Sequence, residues 1–287
     1  MTSYAVITPV RDEAENLPRL AAALLAQTQL PLQWVIVDNG SADATRSIAD
    51  ELAGAHSWIT SHAIATESRG RGAPIVRSFT AGLELLGPQT AQIVVNVDAD
   101  VSFDPDYFER LVAAFEADPA LGIASGVGCE LQRGQWRARN LTGTTVWGAT
   151  RAYRRGCLEA VLPLEERLGW DGIDEFKANA RGWRTAVVRE LAFRHHRREG
   201  ERDGGWQSRV EQGRFAHYVG YRPSYVLART AFNLLRDRAS LGLLWGYATA
   251  AGARRPGLRD ERARAYVRRQ QRLRHLPLRA LEALGRR

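Results

Sequence analysis

In the first 130 residues, short unbroken apolar runs alternate with apolar residues at helical spacing. Residues 4–10 (Tyr-Ala-Val-Ile-Thr-Pro-Val) and 34–38 (Trp-Val-Ile-Val-Asp) are such runs, 94–97 and 122–127 continue the series, and a further strand is expected near 58–63. Runs of this length, apolar on both alternating faces, predict buried strands. Between them, Leu17, Leu20, Leu24 and Leu25 recur at helical intervals. So do Phe108, Leu111, Val112 and Phe115, behind the helix start Phe103-Asp104-Pro105-Asp106. A helix reaching Leu86 is expected from the segment after 74. Strand, helix, strand, helix predicts an α/β fold, a mainly parallel sheet with helices on both faces. Asn39-Gly40 is a turn signal, and Ser41 reads as the N-cap of the next helix.

Beyond residue 225 the pattern changes kind. Residues 225–238 are amphipathic, 239–253 carry no charge but are too short to span a bilayer, and Arg-rich helical sequence follows from about Leu258. The expected organisation is therefore an α/β domain over 1–224, in halves 1–128 and 129–224, and a basic helical region over 225–287.

Charge sharpens that division. The chain has 287 residues and a net charge of +8. Residues 251–287 hold twelve Arg and three acidic residues, so they carry the whole excess and leave the body close to neutral. An uncharged helix with Trp245 and Tyr247, followed by Arg, suits an anionic membrane surface. A helical subdomain with Arg on its wet side is the competing account. No stacking platform accompanies the basic region, so nucleic acid is not an expected partner. Two cysteines without metal-type spacing exclude a disulfide scaffold. The chain opens directly into a core strand, so no secretory signal is expected. The expected location is cytoplasmic, peripheral on the inner face of the cell membrane.

The chemistry concentrates where strands end. Val97-Asp98-Ala99-Asp100 places two carboxylates one residue apart at the C-terminal end of a buried run, where open α/β sheets bind ligands. Two such acids repel unless a cation sits beside them, and a divalent ion carrying a diphosphate fits. An Asp-rich turn capping the next helix is the bland alternative. The segment Glu67-Ser68-Arg69-Gly70-Arg71-Gly72-Ala73-Pro74 pairs Gly and Arg before a helix, which suits an anion. Arg77 lies one helical turn further in.

Three stretches together resemble the family 2 glycosyltransferases with a GT-A fold, of the bacterial, inverting, non-processive kind. They are Thr8-Pro9-Val10-Arg11-Asp12-Glu13, Val37-Asp38-Asn39-Gly40-Ser41-Ala42-Asp43, and Asp98-Ala99-Asp100. The resemblance covers about the first two-thirds of the chain. It implies a GT-A catalytic domain over 1–224, with a Rossmann-like sheet binding a nucleotide-sugar in the nucleotide-binding half 1–128, an acceptor half 129–224, and a C-terminal helical tail appended here. Pro9, Val10, Arg11, Glu13 and Asp38 would hold the nucleobase, Asp98 the ribose, Arg69 and Arg77 the diphosphate, and Asp100 a Mg²⁺ or Mn²⁺ ion. The family's catalytic base opens a helix that a glycine closes. Counting back from Gly182 puts it at Asp171, with Asp174 and Glu175 as alternatives, because Trp170 stands where the family usually has a preceding Glu. A histidine after the last core strand, His195 or His196, would join the metal site, and adjacent residues point apart in extended chain. Trp136 and Trp147 are either sugar-stacking or core residues.

The implied activity is transfer of a single sugar to an acceptor hydroxyl, in cell-envelope polysaccharide or glycolipid synthesis, with a saccharide or lipid-linked acceptor. The Gln-x-x-Arg-Trp motif of processive members is not in the sequence. A sugar-1-phosphate nucleotidyltransferase is the alternative, although its Gly/Arg-rich loop usually follows the first strand directly. A catalytically inactive nucleotide-sugar-binding protein is a third reading.

Overall fold

The computed structural model describes residues 2–65, 72–86, 91–138, 146–197, 205–234 and 237–272, in two compact units. The first comprises 1–178 and 182–197, the second 179–181 and 198–287.

The first unit follows the alternation read from the sequence. In chain order it contains β1 (Tyr4–Val10), α1 (Leu17–Leu25), β2 (Trp34–Asp38), α2 (Thr45–Ala55), β3 (Ile59–Ala63), α3 (Ala73–Leu86) and β4 (Ile93–Val97). Then come β5 (Val101–Phe103), α4 (Tyr107–Ala117), β6 (Leu121–Gln132), β7 (Gln135–Ala138), β8 (Thr150–Arg154), α5 (Arg155–Val161), α6 (Trp170–Ala180) and β9 (Arg184–His195). The strands form one sheet in the order β3-β2-β1-β4-β8-β6-β9-β5, with β7 paired to β6. β1 to β4 run parallel, β8 enters antiparallel to β4, and β9 runs parallel to β6.

Two cores result from the period-2 alternation of side chains along each strand. Tyr4 and Val6 of β1 face α1 and α4, packing with Leu17, Leu20, Leu24, Phe108 and Phe115. Ala5 and Ile7 face α3 and α5, packing with Phe79, Tyr153 and Leu158. Full burial of a Leu or Phe side chain contributes roughly 1.5–3 kcal/mol. The central strands are apolar throughout because both faces are covered.

Where the chain leaves β1 and β2, the two loops are stitched together. Asp12 takes a left-handed conformation (φ 53°), which Asp tolerates better than most residues. Its carboxylate accepts the Ala42 N–H at 2.7 Å, and its own N–H donates to Ser41 Oγ at 3.0 Å. The Glu13 N–H donates to Thr45 Oγ1 at 2.7 Å, and the Ala14 N–H to Asp43 Oδ2 at 3.1 Å. Ser41 does not cap the helix as expected. α2 starts later, behind Ala44, and Ser41 turns back to donate to Asp38.

The second unit contains α7 (Gly205–Tyr218), α8 (Pro223–Leu234), a 3₁₀ turn (Arg238–Ser240), α9 (Leu241–Gly252) and α10 (Glu261–Gln270). α7 and α9 cross backbone to backbone. A Cβ at Gly213 would lie 2.1 Å from the Leu243 carbonyl oxygen, and one at Gly246 would lie 2.0 Å from that of Val210. No helix among the described residues is long and apolar enough to cross a membrane.

Candidate active site

β4 delivers the first acidic residues. The Asp98 N–H donates to the Ala149 carbonyl at 2.9 Å. Asn96 Nδ2 donates to Asp98 Oδ1 at 3.2 Å and to the Gly148 carbonyl at 2.9 Å. These bonds hold residues 148–149 across the end of β4.

Asp100 follows, buried, just before β5. That short strand pairs antiparallel with β9 and sets Val101 opposite His195. The pairing brings His195 Nε2 to 3.4 Å from Asp100 Oδ1. One ligand atom each from Asp98, Asp100 and His195 lies within 4.8 Å of the other two. Two carboxylate oxygens and an imidazole nitrogen are a donor set that suits a divalent ion. Burial acts to raise the Asp100 carboxyl, but hydrogen bonding and charge from His195, with the charge of Arg197, hold it below the usual carboxylate range.

Of the two candidate histidines, only His195 joins this group. His196 Nε2 bonds Ser102 Oγ at 2.8 Å and meets the edge of Trp136 at 5.2 Å between ring centroids. Both histidines were expected after the last core strand, but β9 runs through His195 itself, and its pairing with β5 fixes which ring turns inward. Trp147 lies against His195 and Phe193. Its ring occupies the space that a side chain at Gly128 would need, since a Cβ there would be 1.6 Å from Trp147 Cζ3.

Arg197 had no role assigned from sequence. Its Nη2 reaches both carboxylate oxygens of Glu13, at 2.7 and 2.8 Å, and its Nε lies 3.6 Å from Asp100 Oδ2. It thus links the β1 loop to the metal-type carboxylate. Glu13 is buried and also accepts from Asn16 Nδ2 at 2.8 Å. Asp38 is buried at the end of β2, accepting the Ser41 N–H at 3.1 Å. Pro9 and Val10 close β1 opposite Val37 and Asp38. Arg11 Nε lies 4.0 Å from Asp12 Oδ2. Pro9 to Glu13 and Asp38 therefore gather at the C-terminal ends of β1 and β2. Arg77 Nε lies 2.6 Å from Glu166 Oε2, with both side chains well exposed. Arg69 lies outside the described residues.

The three acids of α6 separate clearly. Asp174 and Glu175 point inward to Arg151, a fully buried arginine on β8. Arg151 Nη2 pairs with Asp174 Oδ1 and donates to the Asp171 carbonyl at 2.7 Å. Its Nη1 donates to the Val146 carbonyl at 2.6 Å and lies 3.3 Å from Glu175 Oε1. Its Nε donates to Tyr153 Oη at 2.9 Å, and the Tyr153 hydroxyl donates to Asp174. Burial pushes Asp174 up to about 6 and Glu175 up to about 8, against the opposing charge of Arg151. Asp171 is different. It opens α6, only partly buried, and its Oδ2 stands 3.8 Å from where a Cβ on Gly148 would be. Through residues 148–149, the acid that opens α6 and Asp98 adjoin one short segment.

A family model described as Glycosyl transferase family 2 matches residues 5–160. The chain belongs to glycosyl transferase family 2. Polyprenol monophosphomannose synthase of Mycolicibacterium smegmatis is 32% identical over 172 residues, covering 54% of this chain and 63% of that protein. Undecaprenyl-phosphate 4-deoxy-4-formamido-L-arabinose transferase of Pseudomonas fluorescens is 29% identical over 179 residues, covering 57% of this chain and 50% of that protein. The chain thus spans between half and two thirds of the length of these relatives.

Solved structures are similar along more of the chain. The mannosyltransferase PcManGT from Pyrobaculum calidifontis, in complex with GDP-Man and Mn²⁺, superposes with a TM-score of 0.59 at 19% identity, over 99% of this chain and 85% of that one. S. aureus TarS 1–349 in complex with UDP-GlcNAc gives 0.56 at 16% identity, over 88% and 91%. At these identities the likeness establishes the GT-A fold of the family 2 chain.

Proposed function

We propose that this family 2 chain is an inverting glycosyltransferase that moves one sugar from a nucleotide-sugar to a lipid-linked acceptor in cell-envelope synthesis, working at the inner face of the cell membrane. The observation that carries the reading is the convergence of Asp98, Asp100 and His195 beside the loops after β1 and β2. The relatives named for polyprenol and undecaprenyl phosphate support the acceptor class.

Pro9, Val10, Arg11, Glu13 and Asp38 hold the nucleobase end of the donor, and Asp98 its ribose. Arg197, already cationic between Glu13 and Asp100, is available to the diphosphate. Asp100 and His195, with Asp98 beside them, would hold Mg²⁺ or Mn²⁺, and such an ion when bound neutralises charge on the departing diphosphate. The acceptor oxygen attacks the anomeric carbon from the face opposite the diphosphate. The new C–O bond forms as the old one breaks, and the nucleoside diphosphate leaves. A hydroxyl acceptor must lose a proton in this step, and in this reading Asp171 takes it. A phosphate acceptor brings an oxygen that is already anionic and needs no base.

A thermal-shift series with nucleoside diphosphates, with and without Mn²⁺, tests the reading. Metal-dependent stabilisation is expected for the wild type and should vanish in Asp100→Asn, which keeps the shape and removes one ligand charge. Equal stabilisation of both proteins by the same nucleotide and metal would remove Asp100 from the site.

A further inference from the structure

Among the described residues of the second unit, one face of α9 is exposed. Gly242, Leu243, Gly246 and Ala250 are buried, the glycines among them against α7. The opposite stripe is Leu241, Trp245, Ala248, Thr249 and Gly252, spaced at helical intervals and exposed. Trp245 is 60% exposed and Leu241 46%. The backbone of Trp206 in α7, a residue 48% exposed, passes the start of α9, its carbonyl oxygen 2.9 Å from where a Cβ on Gly242 would lie. No residue of α9 is charged. The polar side chain on the stripe, Thr249, is satisfied within the helix, donating to the Trp245 carbonyl at 2.8 Å. Such a face can leave water with little loss of hydrogen bonding.

Charge follows at once. Arg254 ends α9 in a left-handed conformation (φ 48°), and Arg254, Arg255 and Arg259 are all exposed. They open the segment 251–287, whose net charge is +9. Trp at the polar–apolar boundary, an uncharged helical face and adjoining arginines match the interfacial zone of an anionic bilayer. A second copy of this chain would have to bring two basic segments together, so charge complementarity favours lipid over self-association.

We propose that Trp206, Leu241 and Trp245 form a membrane-docking surface that enters the headgroup region of anionic phospholipid, with the arginines after α9 on the headgroups. This deepens the lipid-linked acceptor reading above and rests on it. The surface is α9's outer stripe together with one residue of α7, and it lies in the interface plane rather than across the bilayer.

The test uses the full chain with vesicles of phosphatidylcholine alone and of phosphatidylcholine mixed with phosphatidylglycerol. Co-sedimentation with the anionic vesicles is expected at low salt and should weaken at high salt. Brominated lipid should quench tryptophan fluorescence on binding. Trp245→Ser should reduce this quenching and, combined with Leu241→Ser, should weaken vesicle binding about tenfold or more. Because both positions are exposed, the variants should keep the wild-type melting temperature and its nucleotide-dependent shift. That shift reports the donor site separately, so a failure of the transferase reading is distinguishable from a failure of the surface. Wild-type indifference to anionic vesicles at low salt overturns the proposal. So does unchanged binding of the double variant, or a concentration-dependent dimer that dissociates in that variant while neither protein binds vesicles.

Discussion

Single residues separate the acids of α6 more sharply than their spacing does. Asp174 and Glu175 are committed to Arg151, whereas Asp171 is the partly buried acid at the helix start. Asp171→Asn is expected to leave donor affinity near wild type. With an acceptor that must shed a proton, turnover should fall by roughly 10²–10⁴-fold. With a polyprenyl phosphate acceptor the loss should stay within about tenfold. Steady-state kinetics on both acceptor types measures the split, and equal large losses on both would mean that Asp171 does something other than take a proton. Glu175 offers a prediction about stability. Burial raises its carboxyl from near 4.5 to about 8, so the folded chain keeps a proton that the unfolded chain releases in that window. Its contribution is therefore fully present below about pH 4.5 and is lost as pH rises toward 8. Glu175→Gln should flatten this part of the curve, making the variant's melting temperature fall less than the wild type's between pH 5 and 8. Arg151 and Arg197 explain why this layer was illegible in the sequence. Nothing in a string of letters says which of three neighbouring acids meets an arginine twenty-odd residues earlier, or that Arg197 folds back on Glu13.

Elements were legible where burial dictates composition. The runs at 4–10, 34–38 and 94–97 had to be apolar on both faces, and they became β1, β2 and most of β4. Less was legible where one element answers to another. Three-residue β5 looked like part of an Asp-rich turn, yet its register with β9 selects His195 over His196. Ser41 had the chemistry of a helix cap, but Asp38 and Asp12 offered closer partners. The crossing of α7 and α9 was equally hidden, because two glycines in an apolar stretch do not announce a contact. Gly246→Ala tests that crossing. The new methyl would meet the Val210 carbonyl oxygen at 2.0 Å, a contact that only backbone movement relieves. Overpacking of this kind costs about 1–3 kcal/mol. The second unit should become more susceptible to proteolysis, with nucleotide-dependent protection of the first unit retained.

At the scale of the whole molecule, the sequence separated a near-neutral body from a basic end and marked the strand ends where the candidate site gathers. It did not reveal that α7 belongs with the helices that follow it. One consequence of the sheet order concerns time rather than affinity. Asp100 and His195 are far apart in the chain and meet only when β5 closes on β9 at the last edge of the sheet. Pairings of such long range form slowly, because loop closure must precede the contacts that reward it. A cation held by both residues would then bind a conformation that exists late on the folding route. In stopped-flow experiments Mn²⁺ should slow unfolding several-fold while leaving the refolding rate nearly unchanged, as expected of contacts absent from the transition state. Faster refolding in Mn²⁺ would instead mean that the edge of the sheet closes early.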